Sequence, residues 1–283
     1  MFPFTKMHHL SFRRALLILI LGVLGGSIDI HACSMVYYVD PSTGKIFVAN
    51  NEDYWYDAKA YVQIEPGSSK EAARLWYGWD QFAQGGVNEH GLFFDAAVTP
   101  RQEIPEGFIN PKGRNVGDEI LALCRNVEEA VNYLEKEKIA VSEGHMMLGD
   151  GAGNAVVLEW VQGEIRIVRM QENYLIASNF LLSETDPEDI ECPRYRSIEE
   201  RVKQLGSGGA EVDLKAVGNA ISGAVQVPRE DESGRVGGTL YSTFIDITAM
   251  ELVLVPRLDN TKVLKLDLKE EFTKGKKKKI KLH

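Results

Sequence analysis

A chain of 283 residues, 44% hydrophobic and 26% charged, is long enough to bury a large core and too evenly mixed for a disordered or collagen-like protein. Its formal charge of −9 lacks the basic footprint that phosphate backbones demand, so nucleic acid is not an expected partner. One large layered α+β domain reaches this size without an obvious linker.

The first 32 residues read as an export signal and not as part of the fold: Lys6, Arg13 and Arg14 form a basic region, Ala15 to Gly26 an apolar one, and Ile30-His31-Ala32 a cleavage site with a small residue last. The apolar run of 12 residues falls short of the ~20 needed to span a bilayer, so stable membrane insertion is not expected. Cleavage would leave 29 basic against 40 acidic side chains, a formal charge of −11, with Cys33 as the first residue. The expected location is therefore periplasmic or secreted. A lipid-anchored protein is the alternative: Ile30 and Ala32 suit a lipidation motif, His31 does not.

From Cys33 the pattern is β. A run Met35–Val39, a turn at Asp40-Pro41-Ser42-Thr43-Gly44 and a run Lys45–Ala49 predict a hairpin that returns the chain beside its start. Asn50, Asn51 and Asp53 should then emerge close to Cys33, although 17 to 20 residues away in sequence. Further strands are expected at 60–64, 73–79, 84–87 and 92–97, the last two joined by a tight turn at Asn88-Glu89-His90-Gly91.

Asn115 should cap a helix over 116–124, and Asn126 with Glu129 a second over 127–138, whose Val127, Ala130, Val131 and Leu134 make an apolar stripe. Strands resume at 146–148, 155–160, 165–170 and 174–178. Pro193 opens a helix to about residue 205, and Asp213 caps another to about 222. A polar loop is expected over 230–238, strands over 239–246 and 250–255, and an apolar alternation over 263–268. The lysines from Lys274 to Lys281 read as a solvated basic tail over 269–283, or as a weak lure for anionic membrane. Blocks of strands and of helices argue for an α+β fold of antiparallel sheets covered by helices.

Chemistry concentrates on Cys33. Gly149-x-Gly151-x-Gly153 leads into a strand, not the helix that a dinucleotide site needs. After cleavage only His90, His145 and His283 remain, in no ligand spacing, so neither metal nor cofactor is expected. The same scarcity denies a cysteine nucleophile its usual histidine. The free α-amine of an N-terminal Cys33, with an ordinary pKa of ~7.7–8.0 against ~8.5 for a thiol, is the base that remains. Export makes the odd cysteine count notable: with Cys33 as the free thiol, Cys124 and Cys192 are left to stay buried or to pair.

Cys33-Ser34, Ala49-Asn50-Asn51-Glu52-Asp53-Tyr54-Trp55, Gly86-Val87-Asn88-Glu89-His90-Gly91-Leu92, Ala177-Ser178-Asn179-Phe180 and Thr239-Leu240-Tyr241-Ser242, in this order and spacing, resemble the N-terminal-nucleophile hydrolases that act on linear amides. That superfamily includes choloylglycine hydrolases, penicillin V acylases and isopenicillin N acyltransferases. The resemblance implies a four-layer αββα sandwich over residues 33–268 and amide cleavage through an acyl-enzyme. Carried over by motif, Cys33 would be nucleophile and base together, Asp53 would hold the α-amine, and Asn179 would donate to the oxyanion.

Asn50 stands where the bile salt branch has arginine. Near Val98, where an asparagine is expected, only a backbone N–H is offered. Arg235 lies in the region of an expected late arginine. These departures lean toward the broader acylase and acyltransferase group.

Blander roles stand beside these: Asp53 as a strand-end cap, Asn179 as a turn former, Asp95 as a solvent-facing strand residue, and Tyr54, Trp55, Trp76 and Trp79 as core and not acyl pocket. The reading is an exported cysteine amidohydrolase acting on a small-molecule amide. An acyltransferase, a dipeptidase of the same superfamily or a lipidated binding protein are its rivals, and homo-oligomerisation is left open.

Overall fold

The hairpin that begins the fold forms because Asp40 closes its turn. Its backbone carbonyl accepts from Gly44 N at 2.8 Å and its carboxylate from Ser42 N at 3.1 Å, while Gly44 adopts a φ of +71°. The computed structural model describes residues 33–282; the export signal read over 1–32 lies outside the described residues.

In chain order the strands and helices are β1 (Ser34–Val39), β2 (Ile46–Trp55), β3 (Tyr61–Glu65), β4 (Arg74–Trp79), β5 (Phe82–Asn88), β6 (Phe93–Val98), α1 (Val116–Leu123), α2 (Val127–Lys136), β7 (Gly144–Gly149), β8 (Ala155–Val161), β9 (Glu164–Arg169) and β10 (Tyr174–Ala177). There follow α3 (Pro193–Val202), α4 (Leu214–Ile221), β11 (Arg229–Glu230), β12 (Val236–Asp246), β13 (Glu251–Pro256), β14 (Leu264–Asp267), α5 (Leu268–Thr273) and β15 (Lys278–Lys281). One antiparallel sheet runs β10-β1-β2-β12-β13-β14, with β11 also on β12; the other runs β15-β3-β4-β5-β6-β7-β8-β9.

Alternation along the strands sorts side chains into three apolar layers. Met35, Tyr37, Ile46 and Val48 of the first sheet meet Val62, Leu75, Phe93 and Met147 of the second between the sheets. Val36, Phe47 and Ala49 face outward onto α3 and α4 through Ile198, Val217 and Ile221. Phe94, Met146 and Leu148 face α1 and α2, whose Val127, Ala130, Val131 and Leu134 make the expected buried stripe. The result is the αββα sandwich.

Four local expectations change. Strand β2 does not end near Ala49 but runs to Trp55, because β12 pairs along it from Asp246↔Phe47 to Gly237↔Trp55. Asn115 makes no side-chain cap on α1; its Oδ1 accepts instead from Ala83 N at 2.8 Å. The loop expected over 230–238 is a short hairpin, with Arg229↔Gly237 and Glu230↔Val236 in register.

The basic end is not frayed. Residues 278–281 add an edge strand to β3, Leu282 is buried, and Lys274 and Lys278 both pair with Glu271. Lysines suit such an edge because their charge keeps a further strand from adding. Cys124 and Cys192 are both free, the first buried and the second half-buried.

Candidate active site

The residues that meet at Cys33 do so because of register. Strand β1 pairs β2 with Ser34↔Asn51 and Met35↔Asn50, which sets Cys33 beside Glu52. The strand period of two then sends Asn50 and Glu52 into the layer between the sheets, and Asn51 toward α4, where it donates to Ile221 O at 3.0 Å. The Cys33 thiol donates to Glu52 Oε1 at 3.2 Å.

Asn50 lies behind Glu52 and spans both sheets: its Nδ2 donates to Asp95 Oδ1 at 2.9 Å and sits 3.5 Å from Glu52 Oε2. Asp95 Oδ2 accepts from the Tyr77 hydroxyl at 2.9 Å. Far from facing solvent, Asp95 is fully buried. Gly85, its neighbour across the β5–β6 pair, leaves room for this contact, since a Cβ there would come within 2.6 Å of the Tyr77 hydroxyl.

Asp53 is positioned by a different device. The β2–β12 register slips between Thr239 and Tyr241, a bulge that re-aims side chains at the strand end. Thr239 Oγ1 donates to Asp53 Oδ1 at 2.6 Å, while Oδ2 is buried without a hydrogen bond of good geometry; the nearby Gln226 side chain helps to hold the carboxyl's pKa down. A buried oxygen without a partner is costly and calls for a donor.

The carbonyl of Cys33 is held as firmly as its thiol. Ser178 Oγ donates to it at 3.0 Å and Arg194 Nη1 at 2.9 Å, the latter from the first turn of α3. Arg194 also donates to Ser34 Oγ at 3.0 Å and to Asn179 Oδ1 at 3.1 Å. Asn179 in turn donates to Val98 O at 2.8 Å, so it clamps the end of β10 to the end of β6. Val98 thus contributes its carbonyl to this contact.

Arg235 does not join the cluster. Its guanidinium pairs with Asp57 through two contacts of 2.7 Å and lies 4.4 Å over the Trp55 ring. Arg194 is the arginine that the fold brings to Cys33.

The electrostatics are those of carboxylates taken out of water. Burial pushes the Cys33 thiol well above its ordinary range, and the charges of Glu52 and Asp53 push it further. Burial lifts Glu52 to about 7 against the hydrogen bonds from Cys33 and Asn50 that hold it down. Asp53 is lifted to about 8, again by burial, with Thr239 and Arg194 opposing. Asp95 is raised well above the usual carboxylate range by burial first and by Glu52 second. Among the described residues no ion pair reaches Glu52, Asp53 or Asp95.

Cys33, Glu52 and Asp53 line a pocket of about 260 Å³. It opens because the β5–β6 pairing begins only at Gly85↔Asp95 and leaves Phe82–Gln84 and Ala96–Val98 splayed apart. Tyr54 and Trp79, stacked with centroids 4.4 Å apart, form an aromatic wall of this pocket. Trp76 is buried in the layer under α1 and α2. His145 also lines the pocket, its Nδ1 3.0 Å from Glu159.

Glu52, Arg194 and Ser178 were not among the residues singled out from the sequence. A strand continued past Ala49 would have revealed Glu52, because alternation then sets it against Cys33. Nothing linear announces Arg194, which is 161 residues from the carbonyl it holds.

Two antiparallel sheets between helical layers, with a cysteine at the start of a central strand and a buried carboxylate beside it, define the class of N-terminal-nucleophile hydrolases. The family model of acyl-coenzyme A:6-aminopenicillanic acid acyl-transferase matches residues 44–207, more than half of the chain, and the chain belongs to that family. Its fold is similar to a variant of conjugated bile acid hydrolase from Clostridium perfringens, with a TM-score of 0.70, 14% identity and coverage of 88% of this chain and 97% of that one. Penicillin V acylase from Agrobacterium tumefaciens is similar at a TM-score of 0.69 and 17% identity, covering 87% of this chain and 90% of that one. The Caenorhabditis elegans ortholog of N-acylethanolamine-hydrolyzing acid amidase gives 0.52 and 14%, covering 76% and 93%. No curated protein matches by sequence.

Proposed function

We propose that the protein is exported, is cleaved between Ala32 and Cys33, and then hydrolyses a linear N-acyl amide through a thioester on Cys33. The observation that carries this reading is the buried, unpaired Oδ2 of Asp53, on the same pocket wall as the Cys33 thiol. In the uncleaved chain Cys33 N is a peptide amide. Cleavage would turn it into an ammonium, the counter-charge that a buried carboxylate lacks.

In this scheme the α-amine serves proton transfers at the reacting centre, Asp53 holds it, and Arg194 with Ser178 fixes the Cys33 backbone. Asn179 would turn its second amide hydrogen, the one not given to Val98 O, toward the developing oxyanion, where one such donor is worth ~2.7–4 kcal/mol. The apolar, aromatic wall of Tyr54, Trp79 and Phe82 suits an acyl group of modest size, in keeping with penicillin V acylase among the similar structures. The match to an acyltransferase family favours a second outcome, in which an amine and not water receives the acyl group.

Intact mass of the exported protein tests the first step. An unmodified N-terminal Cys33 is expected; a diacylglyceryl adduct would block the sulfur and sink the enzyme reading. Cys33→Ala is expected to abolish amidase activity with an unchanged unfolding midpoint, and full activity in that variant would remove Cys33 as nucleophile.

A further inference from the structure

We infer that Glu52 is a second catalytic residue, the group that takes the thiol proton as Cys33 attacks. The inference rests on the amidase reading above and divides its proton transfers between two groups. Three observations support it. Glu52 Oε1 already accepts from the Cys33 thiol at 3.2 Å, so no rearrangement precedes transfer. Its carboxyl lines the pocket and is therefore on the side from which an acyl group would approach. Its other oxygen, Oε2, lies 3.5 Å from Asn50 Nδ2, and Thr243 Oγ1 donates to Asn50 Oδ1 at 3.3 Å.

The charge environment agrees. The titratable groups around Glu52 are Cys33 just before β1, Asp53 on β2, Tyr77 on β4, Asp95 on β6 and Tyr241 on β12, while the cation Arg194 of α3 is turned to the Cys33 carbonyl and acts on Asp53. Before cleavage burial holds Glu52 at about 7, and an ammonium seated on the adjacent Asp53 would lower it from there, leaving a carboxylate able to take and return a proton near neutrality. A free α-amine of ordinary pKa ~7.7–8.0 is mostly protonated at that pH, which makes it a poor acceptor but a good donor.

The steps balance. The S–H proton passes to Glu52 Oε1, sulfur forms a bond to the amide carbon, and the carbonyl pair moves to oxygen. When that pair returns, the C–N bond breaks and the departing nitrogen takes a proton from the α-ammonium. Water then attacks the thioester and gives its proton to the α-amine, and the sulfur leaves with the C–S pair and recovers its proton from Glu52. The enzyme is restored as thiol, carboxylate and ammonium.

Glu52→Gln keeps size and shape but cannot take the proton. With the cleaved wild-type enzyme, kcat/KM for a short-chain acyl p-nitroanilide and the matching p-nitrophenyl ester should fall on the acid side with an apparent pKa no higher than about 7. Glu52→Gln is expected to lose about 10²-fold on both substrates and to lose that acid limb. The ester matters because its leaving group needs no proton, so it isolates activation of the thiol. Unchanged ester acylation in Glu52→Gln, with the acid limb retained, would overturn the inference; if Cys33→Ala remains active, the amidase reading itself fails. Alkylation of wild-type Cys33 by iodoacetamide needs no substrate and no variant. Its rate should rise through an inflection no higher than about pH 7, and a single inflection above pH 8 would count against Glu52.

Discussion

Strand β2 carries two halves of opposite chemistry at the same depth. Ile46, Phe47, Val48 and Ala49 pack into apolar layers on both faces, while Asn50, Asn51, Glu52 and Asp53 continue the same ladder equally buried. Backbone pairing to β1 and β12 supports both halves, so the contrast lies wholly in the side chains. The apolar half gains from leaving water. The polar half costs stability: Glu52, raised to about 7 from an ordinary ~4.3, binds its proton more tightly in the folded chain than in the unfolded one. Stability from this group is therefore greatest at low pH and declines as pH rises from about 4.3 to about 7. A fold that keeps two buried carboxyls at one end of a central strand, with Asp95 of β6 close behind them, accepts a penalty there, and the penalty falls beside the thiol.

Substitutions in each half can break that contrast. Ile46→Ala should cost about 2–4 kcal/mol of stability, with kcat/KM per folded molecule unchanged. Denaturant unfolding and activity on one sample check this, and a loss of activity beyond the unfolded fraction would show that the apolar half also acts on the chemistry. Asp53→Asn should do the opposite, lowering kcat/KM by about 10- to 100-fold through a weakened hold on the α-amine while the unfolding midpoint stays level or rises. A marked drop in midpoint would make Asp53 a structural cap. The smallest effect is expected at Arg235→Ala, where an exposed pair with Asp57 is lost: activity should stay within about two-fold, since such surface pairs contribute little. A large loss would return Arg235 to the site through a motion of the β11–β12 hairpin.

Much of this was legible in the residues because the controlling interactions are local. The Asp40–Gly44 turn, the α2 stripe and the caps at Asn126 and Asp213 each depend on neighbours within a few positions, and all form where expected. Asp95 was misjudged for the same reason. Alternation says that it faces away from Phe94, but only the stacking of a second sheet decides that this side is interior. The basic end was misread because a lysine-rich run looks solvated until β3 offers it an edge.

By itself the sequence determined most of the strands and helix starts, the cysteine at a cleavage motif and a family resemblance, all of which reside in short-range pattern and order. Only the tertiary structure decided that Glu52 and not a histidine meets the thiol, that Arg194 and not Arg235 holds Cys33, and that Asp53 keeps an oxygen unpaired. Those choices depend on strand register and on contacts between residues as much as 186 positions apart, as in Thr239 with Asp53. Linear spacing carries no record of them: a one-residue shift in the register of β2 would send Glu52 and Asp53 to the opposite faces of the sheet, and Arg194 reaches Cys33 from a helix.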